Sequence, residues 1–208
     1  MLAFVFLATF GTNRFALRTY YPLRVDSTQA GGKWQRDTVF HRVAPVRLHT
    51  QSGRRLAPAD LQGSLYVASF FFATCPQVCP RLNSQLQRVQ EKYRAEPRVK
   101  LLSYTVDPQH DSVAVLARYA EQYGAIAGKW HFLTGPADSL RQIALQQYRV
   151  AEPGPAAIGS GPGMVHSQRL VLVDRDGHIR GLYDGLDPKE VDRLITEIRI
   201  LLYTYDHE

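Results

Sequence analysis

The spacing of apolar residues changes period several times along this chain, and each change marks an element. Leu65-Tyr66-Val67-Ala68-Ser69-Phe70-Phe71-Phe72 is a near-continuous apolar run of strand length, the pattern of a central strand covered on both faces. From Pro80 the period becomes helical, with Leu82, Leu86, Val89 and Tyr93 on one stripe. Pro76 and Pro80 fit only the first turn of that helix, where an N–H has no helical partner. Val99–Val106 predicts a second buried strand, closed by Asp107-Pro108. Asp111 or Ser112 can then cap a helix carrying Val115, Leu116, Tyr119 and Tyr123, which Gly124 stops.

Trp130-His131-Phe132-Leu133 predicts a short strand, and a helix with Leu140, Ile143, Ala144 and Tyr148 follows Gly135-Pro136. Residues 151–163, with four glycines and three prolines, have no periodicity and read as a long mobile loop. Residues 169–174 and 178–183 flank Asp176-Gly177, a strong hairpin signal. Asp187, Pro188 and Glu190 suit the N-cap, N1 and N3 positions of a last helix, which turns Val191, Leu194, Ile195, Ile198 and Leu202 inward. Before the first long strand, residues 43–56 look like a hairpin, with Pro45 at an edge. Alternating strands and helices argue for parallel crossovers in an α/β sheet. A closing ββα unit, with a cysteine pair at the first strand-to-helix junction, is the plan of a thioredoxin-like fold.

The N-terminus adds a different kind of segment. Residues 1–10 are apolar throughout but about half the roughly 20 residues that span a bilayer. No basic stretch precedes them and no clear cleavage site follows, so they read as an anchor or signal remnant. Residues 11–38 read as a polar, basic connector. The expected division is therefore 1–38 for the apolar segment and connector, and 39–208 for one folded domain.

Composition narrows the class. Of 208 residues, 45% are apolar and 21% charged, which suits a domain with a full core. The net charge is +6, with basic residues loosely concentrated before the cysteines. That reads as a solvated surface with some affinity for anionic membranes. No basic helix or aromatic-interleaved basic stripe marks a nucleic-acid partner. Two cysteines are too few for a disulfide scaffold.

Those two cysteines, Cys75 and Cys79, stand in a Cys-x-x-x-Cys frame, each followed by proline. One helical turn of spacing lets two sulfurs converge on a metal ion, and also approaches disulfide reach. The helix N-terminus predicts lowered thiol pKa values, which serves metal binding and redox chemistry alike. Structural zinc asks for four protein ligands, commonly two Cys/His pairs, and only one pair exists here. Two thiolates and an imidazole suit copper. Among seven histidines, His166 is the preferred third ligand, because it ends the 151–165 loop and opens a strand. His178 reads as a solvated turn residue and His131 as structural, while His41, His49, His110 and His207 fall in loops or terminal regions. A thiol–disulfide reductase using Cys75 and Cys79 is the alternative, although ordinary thioredoxin-like motifs place two residues between the cysteines.

Four ordered motifs carry a family resemblance. They are Phe70-Phe-Phe-Ala-Thr-Cys75-Pro-Gln-Val-Cys79-Pro, Tyr104-Thr-Val-Asp-Pro-Gln-His-Asp111, Trp130-His-Phe-Leu-Thr-Gly135, and Val165-His-Ser-Gln-Arg-Leu-Val-Leu-Val-Asp-Arg-Asp-Gly177. From about residue 40 to about 203 the chain resembles the SCO/SenC (PrrC) family of thioredoxin-like copper-binding factors. The resemblance implies copper, Cu(I) or Cu(II), held by Cys75, Cys79 and His166. It implies a metallochaperone, one that helps build the dinuclear copper site of cytochrome c oxidase. Its partners would be the copper-acceptor subunit and other copper chaperones. It also implies a membrane-anchored domain on the periplasmic side of a bacterial inner membrane, or in the mitochondrial intermembrane space. Between the cysteines the family often carries an acidic residue where this chain has Gln77. Asp107 is read here as a turn and cap residue before Pro108.

Overall fold

The computed structural model describes residues 16–30, 33–45, 47–150 and 167–208. Among the described residues, eight strands and four α-helices follow one another in chain order. Strands β1 (Pro22–Ala30) and β2 (Lys33–Phe40) form a separate antiparallel ribbon. The main sheet has six strands in the order β3-β6-β5-β4-β7-β8. These are β3 (His49–Thr50), β4 (Leu65–Phe71), β5 (Val99–Thr105), β6 (Trp130–Thr134), β7 (Arg169–Val173) and β8 (Ile179–Asp184). The helices are α1 (Val78–Lys92), α2 (Val113–Gln122), α3 (Ala137–Gln142) and α4 (Pro188–Asp206). A π-turn over Ile143–Gln147 extends α3.

Strand β4 is interior to the sheet, parallel to β5 and antiparallel to β7, and all seven of its residues are buried. Alternation explains this. Phe71 stacks on Tyr119 of α2 at a centroid distance of 5.1 Å, while Phe70 meets Tyr148 beyond α3 edge-on at 5.5 Å. Successive side chains of a strand point to opposite faces, so α2 and α3 cover opposite sides of the sheet. Helix α1 shares the α2 side. Its Gln87 and Gln90 amides donate to the Tyr123 and Gly124 carbonyls, closing the end of α2 against it. Helix α4 joins the same layer, where the Tyr93 hydroxyl donates to the Ile195 carbonyl.

The predicted helical stripes face inward: Leu82, Leu86 and Val89 are buried on α1, and Val191, Leu194, Ile198 and Leu202 on α4. Ser112, not Asp111, caps α2 by accepting from the Val115 N–H. Asp187 caps α4 by accepting from the Lys189 N–H, with Pro188 in the first turn. The hairpin expected over 43–56 is reduced to a tight turn. Leu48 and Leu56 exchange a backbone bond across it, and only His49 and Thr50 join the sheet, against Thr134 and Leu133.

The expected polar connector also differs. Residues 22–30 and 33–40 are strands, and β2 runs through the anticipated boundary at residue 38. Both faces of the ribbon are largely exposed, so no period-2 apolar pattern marks them. The Gly31-Gly32 pair was the visible sign of a hairpin. The 151–163 loop and residues 1–15 lie outside the described residues.

The α4 cap gives a direct test. Asp187→Ala should lower stability by about 1 kcal/mol, and Asp187→Asn should restore most of it, as read from urea denaturation midpoints.

Candidate metal centre

Parallel strands β4, β5 and β6 end on the same edge of the sheet, where open α/β sheets place ligands. The buried run of β4 carries the chain to that edge, and the turn Phe72–Gln77 redirects it into α1. The Cys75 N–H donates to the Phe72 carbonyl at 3.2 Å, which tightens the turn. One helical turn later the Cys79 N–H donates to the Cys75 sulfur at 3.3 Å. Gln77 occupies the N-cap position of α1 with no side-chain cap bond, so the Cys75 sulfur takes a first-turn N–H instead. The Gln77 side chain is exposed and brings no charge between the cysteines.

Both cysteines are free and buried, Cys75 at 6% and Cys79 at 2% exposure. Burial pushes the Cys79 thiol up to about 12, and the hydrogen bond with Cys75 adds to the rise. The Phe72 backbone bond lowers it and the Asp111 carboxylate raises it by smaller amounts. This corrects the expectation of a thiolate prepared by the helix terminus. For Cys79, loss of water outweighs the terminal dipole, and ionising it costs about 4 kcal/mol more than in solvent.

Two groups unnoticed in the sequence organise the turn. Asp111 is 1% exposed; its carboxylate accepts from the Ala73 N–H at 3.1 Å and from the Thr105 hydroxyl. It thereby fastens the cysteine turn to the end of β5, and burial raises its own pKa. Asn83 lies one turn beyond Cys79 on α1 and is fully buried. Its Nδ2 donates to the Tyr119 hydroxyl at 2.9 Å, while its Oδ1 has no partner among the described residues. Burial raises the Tyr119 pKa first, and the two cysteines add to it, so that phenol stays protonated beside the thiols. The signal for Asn83 was its spacing: it continues the Cys75–Cys79 interval by four more residues. Asp111 carried no signal separable from a helix cap.

Six histidines are described, and each has a partner elsewhere. His131 is buried in β6 with its pKa lowered by desolvation, the structural role expected of it. His178 is tethered rather than solvated: its Nε2 accepts from Arg42 Nε at 3.1 Å and its ring meets Phe40 edge-on. His41 bonds the Gln147 carbonyl, His49 accepts from Arg55, and His207 bonds the Tyr203 carbonyl. His110 lies 2.7 Å from the Asp107 carboxylate, which raises its pKa. The Asp107 carbonyl also accepts from the His110 and Asp111 N–H groups, the turn role predicted for it. His166 lies outside the described residues. Among those described, no histidine, cysteine or carboxylate joins Cys75 and Cys79 as a third ligand. The cluster that does converge is Asp174, Asp176 and His178, where Arg180 already pairs with Asp174 at 2.9 Å.

Comparison with known proteins adds independent findings. A family model described as SCO1/SenC matches residues 36–202. The chain is 27% identical over 171 residues to the SCO1 protein homolog of Bacillus subtilis, covering 81% of this chain and 87% of that protein. It is 33% identical over 162 residues to the mitochondrial SCO2 homolog of Bos taurus, covering 73% of this chain but 59% of that longer protein. Among solved structures, BsSco is described as having a disulfide switch and as a member of the Sco family of cytochrome c oxidase assembly proteins. It superposes with a TM-score of 0.65 at 26% identity, over 77% of this chain and 93% of its own. Copper-bound yeast Sco1 shares the fold at a TM-score of 0.59 and 24% identity, over 76% and 89% of the two chains.

Two measurements test the turn. At pH 7 the metal-free, reduced chain should alkylate at Cys79 about 10³-fold more slowly than an unperturbed thiol. The rate should rise about tenfold per pH unit toward the raised pKa, read by mass spectrometry. Asp111→Ala strands the Ala73 N–H and the Thr105 hydroxyl and should cost about 2–4 kcal/mol in denaturant unfolding, with Asp111→Asn costing less.

Proposed function

We propose a function from one premise: the chain belongs to the SCO1/SenC family. It is a copper metallochaperone, in which Cys75 and Cys79 bind the ion as thiolates and His166 supplies an imidazole. The cargo is delivered to the copper-acceptor subunit of cytochrome c oxidase, with other copper chaperones as further partners. Residues 39–208 form the copper-binding domain. Residues 1–38 hold it to a membrane, on the periplasmic side of a bacterial inner membrane or in the mitochondrial intermembrane space. Among the described residues, no helix is long and apolar enough to cross a membrane.

The observation that carries the reading is the free, buried pair of cysteines one helical turn apart at the ends of the parallel strands. Soft sulfur donors favour Cu(I), and an added imidazole accommodates Cu(II). The raised Cys79 pKa means that the ion must displace a proton as it binds, so loading strengthens as pH rises. The same protonated thiol favours release, because a proton can replace the departing metal. An acceptor with its own cysteines takes the ion by stepwise ligand exchange.

A thiol–disulfide reductase is the second reading, favoured by the disulfide switch described for BsSco. It gains little from Cys79, whose thiol, pushed up to about 12, is a poor nucleophile at neutral pH.

In the full chain, His166→Ala should lower Cu(II) affinity by more than about 100-fold, beyond the loss typical of outer-shell changes. The circular dichroism spectrum should not change, and Cu(I) should still bind through the dithiol. Unchanged Cu(II) affinity and charge-transfer absorption would remove His166 from the ligand set.

A further inference from the structure

The ribbon β1–β2 has no task in the proposed copper site. None of its described side chains is buried. Leu23, Val25, Trp34 and Val39 are exposed by 60%, 55%, 71% and 42%. An isolated two-stranded ribbon is marginal in water and gains stability from a surface to lie on. Trp34 is large and apolar, and nothing among the described residues covers it.

The strand register sorts the ribbon into two unlike faces. Directly paired residues share a face, so Val25, Ser27 and Gln29 lie with Thr38, Arg36 and Trp34. That face has an aromatic, an aliphatic and a cationic side chain and no acid. Asp26 and Asp37 oppose each other on the other face, where Arg24 pairs with Asp26 at 2.9 Å. Charge is also uneven along the chain. Residues 1–59 hold nine basic and two acidic residues, a net +7, leaving 16 basic and 17 acidic in residues 60–208, a net −1. The apolar stretch of residues 1–10 precedes β1 by eleven residues.

We propose that the Val25–Trp34–Arg36 face of the β1–β2 ribbon docks on an anionic lipid surface. Tryptophan settles at the headgroup level, where its ring is half in hydrocarbon and its N–H is wet. Arg36 meets lipid phosphate, and the two aspartates face water. The ribbon acts as a second contact beside the apolar N-terminus, and two weak contacts hold a domain where one is reversible. It also sets orientation. This inference rests on the membrane attachment proposed for residues 1–38 and not on the copper reading.

The full chain carries two tryptophans, and Trp130 is fully buried, so a change in tryptophan emission on vesicle binding reports Trp34. With phosphatidylcholine vesicles containing phosphatidylglycerol, Trp34 emission should shift to shorter wavelength, lose acrylamide quenching and gain quenching by brominated lipid. Trp34→Phe should abolish the shift. Arg36→Glu, which removes one charge and adds its opposite, should weaken partitioning about 30-fold, taking roughly fivefold per charge. High salt should weaken it too. If the chain binds vesicles while Trp34 stays open to acrylamide, the N-terminus acts alone and the proposal fails. It also fails if the shift appears without vesicles as protein concentration rises, which would make this face a contact between copies. Equal binding to pure phosphatidylcholine would remove the charge argument and overturn the anionic assignment.

Discussion

Burial of β4 on both faces is the constraint from which the site follows. A strand covered by α2 on one side and α3 on the other leaves the sheet only at its ends. The chain must turn at Phe72 and re-enter the α1–α2 layer within a few residues. Cys75 and Cys79 occupy that return, so their positions are set by the core and not by a free loop. The aromatic contacts that close the core, Phe71 with Tyr119 and Phe132, lie directly beneath the turn.

A dithiol placed this way is held by its neighbours and denied water by them. The Asp111 carboxylate fixes Ala73 against Thr105, and the Cys75 sulfur accepts the Cys79 N–H. Desolvation keeps Cys79 protonated, while the Tyr119–Asn83 pair supplies a polar floor without a charge. Such a site is screened from water, and a soft cation binding there would have to displace a proton. A protonated Cys79 limits the part that residue can take in rapid disulfide exchange.

Much of this was legible in the sequence, for physical reasons. The order of strands and helices, the buried β4 run, the Asp176-Gly177 turn and the Asp187 cap each rest on local patterns that burial or backbone geometry imposes. Cysteine spacing identified the turn itself. What escaped depended on contacts distant in sequence. Asp111 reads as a helix cap until its carboxylate is found 38 residues away at Ala73. The rise in the Cys79 pKa comes from packing, which overrides the helix-terminus expectation. His178 reads as solvated until Arg42 and Phe40 arrive from the N-terminal segment. The ribbon escaped because neither of its faces is buried against the domain.

X-ray absorption at the copper edge of the loaded full chain tests the ligand assignment most directly. Two sulfur scatterers from Cys75 and Cys79 are predicted, joined by nitrogen when Cu(II) is bound, with one sulfur lost in Cys75→Ser and one in Cys79→Ser. A shell of oxygen and nitrogen alone, or an unchanged sulfur count in either variant, would contradict a dithiol copper site at the end of β4.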